Sequence, residues 1–146
     1  MSASGLDPGQ TIDVLHVDDE PDFADTVAAF LEREDDRLNI ETVPSASDGL
    51  ARLADTAFDC VISDYDMPKT DGIEFLETVR EKYSALPFIL YTGKGSEEVA
   101  SDAIAAGESD YLQKERGTGQ YTVLATRIGT LVERARAQQR EQQQLE

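Results

Sequence analysis

Residues 58–72 read FDCVISDYDMPKTDG. Phe58–Ser63 is a nearly continuous apolar run, too short for a helix and patterned like a strand covered on both faces. It ends abruptly in a carboxylate, Asp64, and the turn-forming stretch that follows leads into Asp71–Tyr83. There Ile73, Phe75, Leu76 and Val79 recur at helical spacing. Strand followed by helix alternates along the rest of the chain, with no internal sequence repeat. Upstream, the strand Thr11–Val17 runs into Asp18-Asp19-Glu20 and then the helix Pro21–Glu34, with Phe23, Val27, Phe30 and Leu31 on one side and Pro21 suited to a first turn. Leu38–Val43 and Ser47–Asp55 form the next strand and helix. Downstream come Pro87–Tyr91 as strand, Ser96–Ala106 as helix stopped by Gly107, Ser109–Gln113 as strand, and a long helix from about Gln120. Five strands alternating with five helices through short connections predict an α/β domain with a parallel sheet, right-handed crossovers and helices on both faces.

The 146 residues suit one domain. A single cysteine, Cys60, rules out an intrachain disulfide framework and reads as core. His16, on the first strand, also reads as structural. No apolar run reaches membrane-spanning length, and Met1–Gln10 lacks the basic-then-apolar order of a signal peptide. A cytoplasmic protein with no membrane partner is expected. Thirty acids against thirteen bases give a net charge of −17, and only four bases are lysines: Lys69, Lys82, Lys94 and Lys114. That balance argues against direct nucleic-acid binding. Dispersed acids with scarce lysine resemble proteins of organisms with a very salty cytoplasm, and the same composition also fits a merely acidic soluble domain.

Polar residues gather where strands end. Asp18 and Asp19 follow the first strand, Asp64 the third, Thr92 the fourth and Lys114 the fifth. In an open parallel sheet, ligands bind outside the carboxyl ends of the strands. Carboxylates crowded there repel one another unless a cation sits among them, and Mg2+ suits a few carboxylates completed by water and phosphate oxygens. A carboxylate beside such an ion can attack phosphorus, and a lysine and a hydroxyl can take up the charge of the transferred group.

These residues resemble the receiver domains of two-component response regulators. The matching segments are Asp18-Asp19, Asp64-Tyr65-Asp66-Met67-Pro68 with Asp71-Gly72, Tyr91-Thr92-Gly93 and Tyr111-Leu112-Gln113-Lys114, over about Thr11 to Arg134. Thr92 and Lys114 stand 22 residues apart, with an aromatic residue three before the lysine. The resemblance implies a flavodoxin-like (βα)5 sheet in strand order 2-1-3-4-5. It implies phosphorylation of Asp64 by a histidine kinase or phosphotransfer protein. Asp19 and Asp64 would bind Mg2+ directly, Asp18 mainly through water, and Asp66 through its backbone carbonyl. Lys114 and Thr92 would contact the phosphoryl oxygens. Thr92 and Tyr111 would act as the switch that alters the face made by helix four, strand five and helix five. The chain departs from the family in Glu115, where proline is usual, and in Gly93, followed by Lys94, where alanine is commoner. It is expected to be a signalling switch that catalyses only its own phosphorylation and dephosphorylation.

Two other classes fit parts of the pattern. Asp64-Tyr65-Asp66 matches the Asp-x-Asp nucleophile motif of haloacid-dehalogenase-type phosphatases, although those place the nucleophile strand first and want Thr or Val where Pro68 stands. A non-phosphorylated docking module would keep the fold but has no need of all five polar residues. Thr92-Gly93-Lys94-Gly95-Ser96 lacks the first glycine and the ending of a Walker A loop. In the last helix Val123, Leu124, Ile128, Leu131, Val132 and Ala135 form an apolar face, after which Ala137–Glu146 (AQQREQQQLE) has almost none. Residues 1–10 are expected to be a disordered leader, 11–136 the receiver, and 137–146 a helical linker toward a possible sensor or output domain. That arrangement is similar to haloarchaeal N-terminal receivers of sensor-kinase-like proteins.

The net charge of −17 makes the folded chain self-repelling at low ionic strength. The melting temperature is therefore expected to rise as KCl goes from millimolar to molar. A flat or falling trend in a salt series of thermal melts would overturn the salt-adapted reading.

Overall fold

The computed structural model describes residues 11–93, 97–107, 110–114 and 117–145. Its elements are β1 (Ile12–Val17), α1 (Pro21–Glu34), β2 (Leu38–Val43), α2 (Ala46–Asp55), β3 (Cys60–Ser63), α3 (Gly72–Lys82), β4 (Phe88–Thr92), α4 (Glu97–Ala106), β5 (Asp110–Gln113) and α5 (Gly119–Leu145). The strands form one parallel sheet in the order β2-β1-β3-β4-β5. This is the flavodoxin-like order that the resemblance implies. Met1–Gln10, Lys94–Ser96 and Glu115 lie outside the described residues, and so do the expectations placed on them.

Side chains alternate across the strands and build a core on each face. Ile12, Val14, Cys60, Ile62, Ile89 and Tyr91 pack with Val27 and Leu31 of α1 and with Leu124, Ile128 and Val132 of α5. Leu15, Val17, Val61, Phe88 and Leu90 point the other way, onto Leu53, Phe75, Leu76 and Val79. The central strands β3 and β4 are buried throughout, whereas the edge strands β2 and β5 are half exposed. Cys60 is a free, buried cysteine, and burial pushes its thiol pKa up. It is inert core, as expected.

Element ends differ from the sequence reading by one or two residues, each for a local reason. Ser45 caps α2 by accepting a hydrogen bond from Asp48 N at 3.1 Å, so the helix begins at Ala46. Asp71 caps α3 through Glu74 N at 2.9 Å, which leaves Gly72 as its first residue. β4 begins after Pro87, whose nitrogen carries no proton for the ladder, and includes Thr92 as its last residue. Gly107 closes α4 with a positive φ of 97°, and Arg80 Nε donates to its carbonyl at 2.7 Å.

Helix α5 is tied to the domain along much of its length. Tyr121 stacks on Phe30 of α1 at 4.7 Å, and Thr122 donates to Glu34 at 2.9 Å. Arg37 bridges Asp35 and Glu133 and holds the Asp35 carboxyl below its usual range. Near the far edge of the sheet, Arg136 Nη2 donates to Thr11 O at 2.8 Å and lies 3.4 Å from Asp59. Beyond it, residues 138–141 are exposed.

Ile128 is fully buried while residues 138–141 are exposed. Ile128→Ala is therefore expected to cost about 2–5 kcal/mol in urea unfolding, and truncation after Ala137 less than about 0.5 kcal/mol. A truncation cost comparable with Ile128→Ala would place the folded boundary beyond residue 136.

Candidate functional site

The ladder itself assembles the site. Val17 of β1 pairs with Ser63 of β3, so the next residues, Asp18 and Asp64, leave adjacent strands in the same row. Asp64 N donates to Val17 O at 3.0 Å and Asp18 N to Val43 O at 3.1 Å, which fixes both backbones. At the other end of the row, Thr92 pairs with Gln113, and Lys114 N donates to Thr92 O at 2.9 Å. A cavity of about 580 Å3 opens over this edge, lined by Asp19, Glu20, Phe23, Asp64, Asp66, Met67, Pro68, Thr92, Gly93 and Lys114.

Each carboxylate is oriented by local backbone. Asp18 Oδ1 accepts from Glu20 N at 2.9 Å, and Asp64 Oδ1 accepts from Tyr65 N at 2.8 Å. Asp18, Asp64 and Thr92 are buried. Asp18, Asp19 and Asp64 bring one carboxylate oxygen each to within 4.8 Å of one another. Lys114 Nζ reaches across the sheet and lies 3.4 Å from both Asp18 Oδ2 and Asp64 Oδ2. Such an all-oxygen donor set fits a hard divalent cation such as Mg2+. Asp66 lines the cavity from the loop after β3, where Lys69 takes a left-handed φ of 71°.

Gly72 has a steric duty that the motif alone does not explain. A Cβ there would stand 2.4 Å from Asp64 O, 2.8 Å from Leu90 Cδ1 and 2.9 Å from Tyr65 Cα. The start of α3 thus presses directly on the backbone that carries Asp64, and only glycine permits it. Gly93 is different, because a Cβ there would meet only Lys114 Cδ at 3.9 Å, an ordinary contact.

Of the residues singled out in the sequence, Asp18, Asp19, Asp64, Asp66, Thr92 and Lys114 come together at this edge. Tyr111 does not line the cavity. It is half-buried and packs against the core on the α2/α3 side of the sheet. Two residues read as core prove to neighbour the site. Phe23 has its ring centroid 4.3 Å from Lys114 Nζ, with Tyr91 at 5.8 Å. His16 is buried beneath Asp18, its Nε2 3.9 Å from Asp18 Oδ2 and its Nδ1 without a hydrogen-bond partner among the described residues. Burial first, and then the charge of Lys114, push its pKa down to about 4, so the imidazole is neutral at neutral pH. A polar residue in the apolar run Val14–Val17 is the signal in the sequence for His16.

Comparison with known proteins gives the same assignment along the whole sheet. The family model for the response regulator receiver domain matches residues 14–124. The chain is 32% identical over 136 residues to the nitrogen assimilation regulatory protein NtrX of Azorhizobium caulinodans, covering 91% of this chain and 29% of that one. It is 33% identical over 109 residues to the transcriptional regulatory protein ResD of Bacillus subtilis, covering 75% of this chain and 44% of that one. The chain thus spans less than half the length of these relatives. Among solved structures, a response regulator receiver domain protein from Clostridium thermocellum superposes with a TM-score of 0.76 at 25% identity, covering 86% of this chain and 98% of that one.

Proposed function

Because the chain belongs to the response regulator receiver domains of two-component systems, we propose that it is a phosphorylatable switch with Asp64 as the phosphoacceptor. The observation that supports this most is the pairing at the sheet edge: two buried carboxylates in one row with a single ammonium 3.4 Å from each. The donor is a phosphohistidine on a histidine kinase or phosphotransfer protein. A carboxylate oxygen of Asp64 forms a P–O bond as the donor's P–N bond breaks, and the leaving imidazole keeps the electron pair and takes a proton from solvent. Lys114 supplies a positive charge to the phosphoryl oxygens, and the Thr92 hydroxyl donates a hydrogen bond to one of them. Asp19 and Asp64 directly, Asp18 through water and Asp66 through its carbonyl are the groups that would hold Mg2+, which when bound neutralises charge on the transferred group.

The response follows from Thr92 and Tyr111. Thr92 turning toward the phosphoryl group frees space for Tyr111 to change rotamer and remodel the α4-β5-α5 face. The chain's own chemistry is confined to gaining and losing this phosphoryl group. Residues 11–136 are the receiver, and 137–146 begin a helical connection to a further sensor or output domain. A reading frame that stops within a few residues of Glu146 would remove the connection and leave a stand-alone regulator.

Incubation with acetyl phosphate and Mg2+ is expected to add ~80 Da in intact-mass spectrometry. The adduct should survive acid and be cleaved by hydroxylamine, as an acyl phosphate is. Asp64→Asn should abolish it, Asp19→Ala should suppress it, and Lys114→Ala should mainly impair the response. Labelling that persists unchanged in Asp64→Asn would overturn the assignment, and steady phosphate release without an adduct would favour a phosphatase.

A further inference from the structure

Lys114 has a positional problem. Its backbone follows the edge strand β5, yet its ammonium serves carboxylates just after β3 and β1, two and three strands away. A lysine stem has four rotatable bonds and gains no direction from a point charge. Both carboxylates attract it, Asp18 Oδ2 accepting a hydrogen bond from it, but at 3.4 Å each contact is longer than the 2.7–2.9 Å of a close charge-assisted hydrogen bond and leaves the ammonium room to shift. Gly93 contributes no side chain to the stem, since even a Cβ there would stand 3.9 Å from Lys114 Cδ. Even so, the side chain is only 18% exposed.

The nearest aromatic ring is that of Phe23. It belongs to the first turn of α1, where the apolar stripe that continues through Val27 and Leu31 still packs against the core and also forms part of the cavity wall. Its centroid is 4.3 Å from Nζ, inside the range in which a ring face attracts an ammonium ion. Tyr91, buried and with its hydroxyl bonded to Gln120 of α5, lies farther off at 5.8 Å.

We propose that Phe23 is the positioning residue of the site, its ring holding the Lys114 ammonium over the Asp18 and Asp64 carboxylates. The role of this placement in phosphoryl transfer rests on the function proposed above, whereas the placement itself does not. One consequence concerns cations. An ammonium held between two of the acids opposes a divalent ion entering among them, so releasing it should strengthen Mg2+ binding. Loss of simple packing would weaken it.

With only four lysines in the chain, the ε-CH2 signals of 13C-lysine-labelled protein can be followed one by one, and Lys114→Ala identifies the relevant one. In the parent protein the Lys114 signal is expected upfield of the other three through the ring current of Phe23. Phe23→Leu should move it into their range, and Phe23→Tyr should keep it upfield. Titration with Mg2+ alone should show Phe23→Leu binding about fivefold more tightly, on the scale of one lost cation–π contact, with Phe23→Tyr like the parent. A Lys114 signal unmoved in folded Phe23→Leu, or weaker Mg2+ binding in that variant, would overturn the proposal. Phe23→Met gives the same comparison if Phe23→Leu does not fold. Asp64 that takes no label from acetyl phosphate, together with a shifted Lys114 signal, would overturn the switch function and leave the positioning role standing.

Discussion

Mutual repulsion among Asp18, Asp19 and Asp64 is the constraint around which the domain is arranged. A parallel sheet in register delivers the residues after Val17 and Ser63 to one row, and in this chain both are aspartates. Bringing such groups within a few ångströms disfavours the fully ionised set unless positive charge is near. The chain meets this with one lysine, brought in over the ladder from β5, and with backbone amides that fix Asp18 and Asp64. Beneath them the strands are mostly apolar, with His16, which desolvation keeps neutral, and the buried Ser63 among the described residues. The balance of the site is thereby left open to an incoming cation or phosphoryl group.

Rigidity comes from the scaffold rather than from the site. Central strands buried on both faces hold the row of acids at a fixed spacing, and Gly72 lets α3 press against the carbonyl of Asp64. The opposite face is secured by the stacked pair Phe30 and Tyr121 and by Arg37 spanning Asp35 and Glu133.

The alternation of strand and helix was legible because the central strands are apolar runs and the helices carry one-sided stripes. The convergence of Asp18, Asp64, Thr92 and Lys114 was legible too, since each directly follows or ends a strand. Helix starts were misread by a residue at Ser45 and Asp71, where a capping side chain rather than hydrophobic period decides the boundary. Phe23 shares the spacing of the apolar stripe with Val27 and Phe30 and packs against the core as that spacing predicts. Periodicity tells which side of a helix a residue is on, but not that the first turn of α1 also borders the acidic edge. The crowding at Gly72 depends on a contact between α3 and the residue after β3, which no local pattern encodes.

Helix α5 touches both ends of the sheet. Near its start Gln120 is bonded to Tyr91 beside the acidic row, and 16 residues later Arg136 grips Thr11 at the other edge. The helix is about 40 Å long from Gly119 to Leu145. It is in effect a lever: a tilt of about 5° pivoting at Gln120 would carry its far end about 3 Å. Such a tilt would displace the far end with no contact between it and the acidic row.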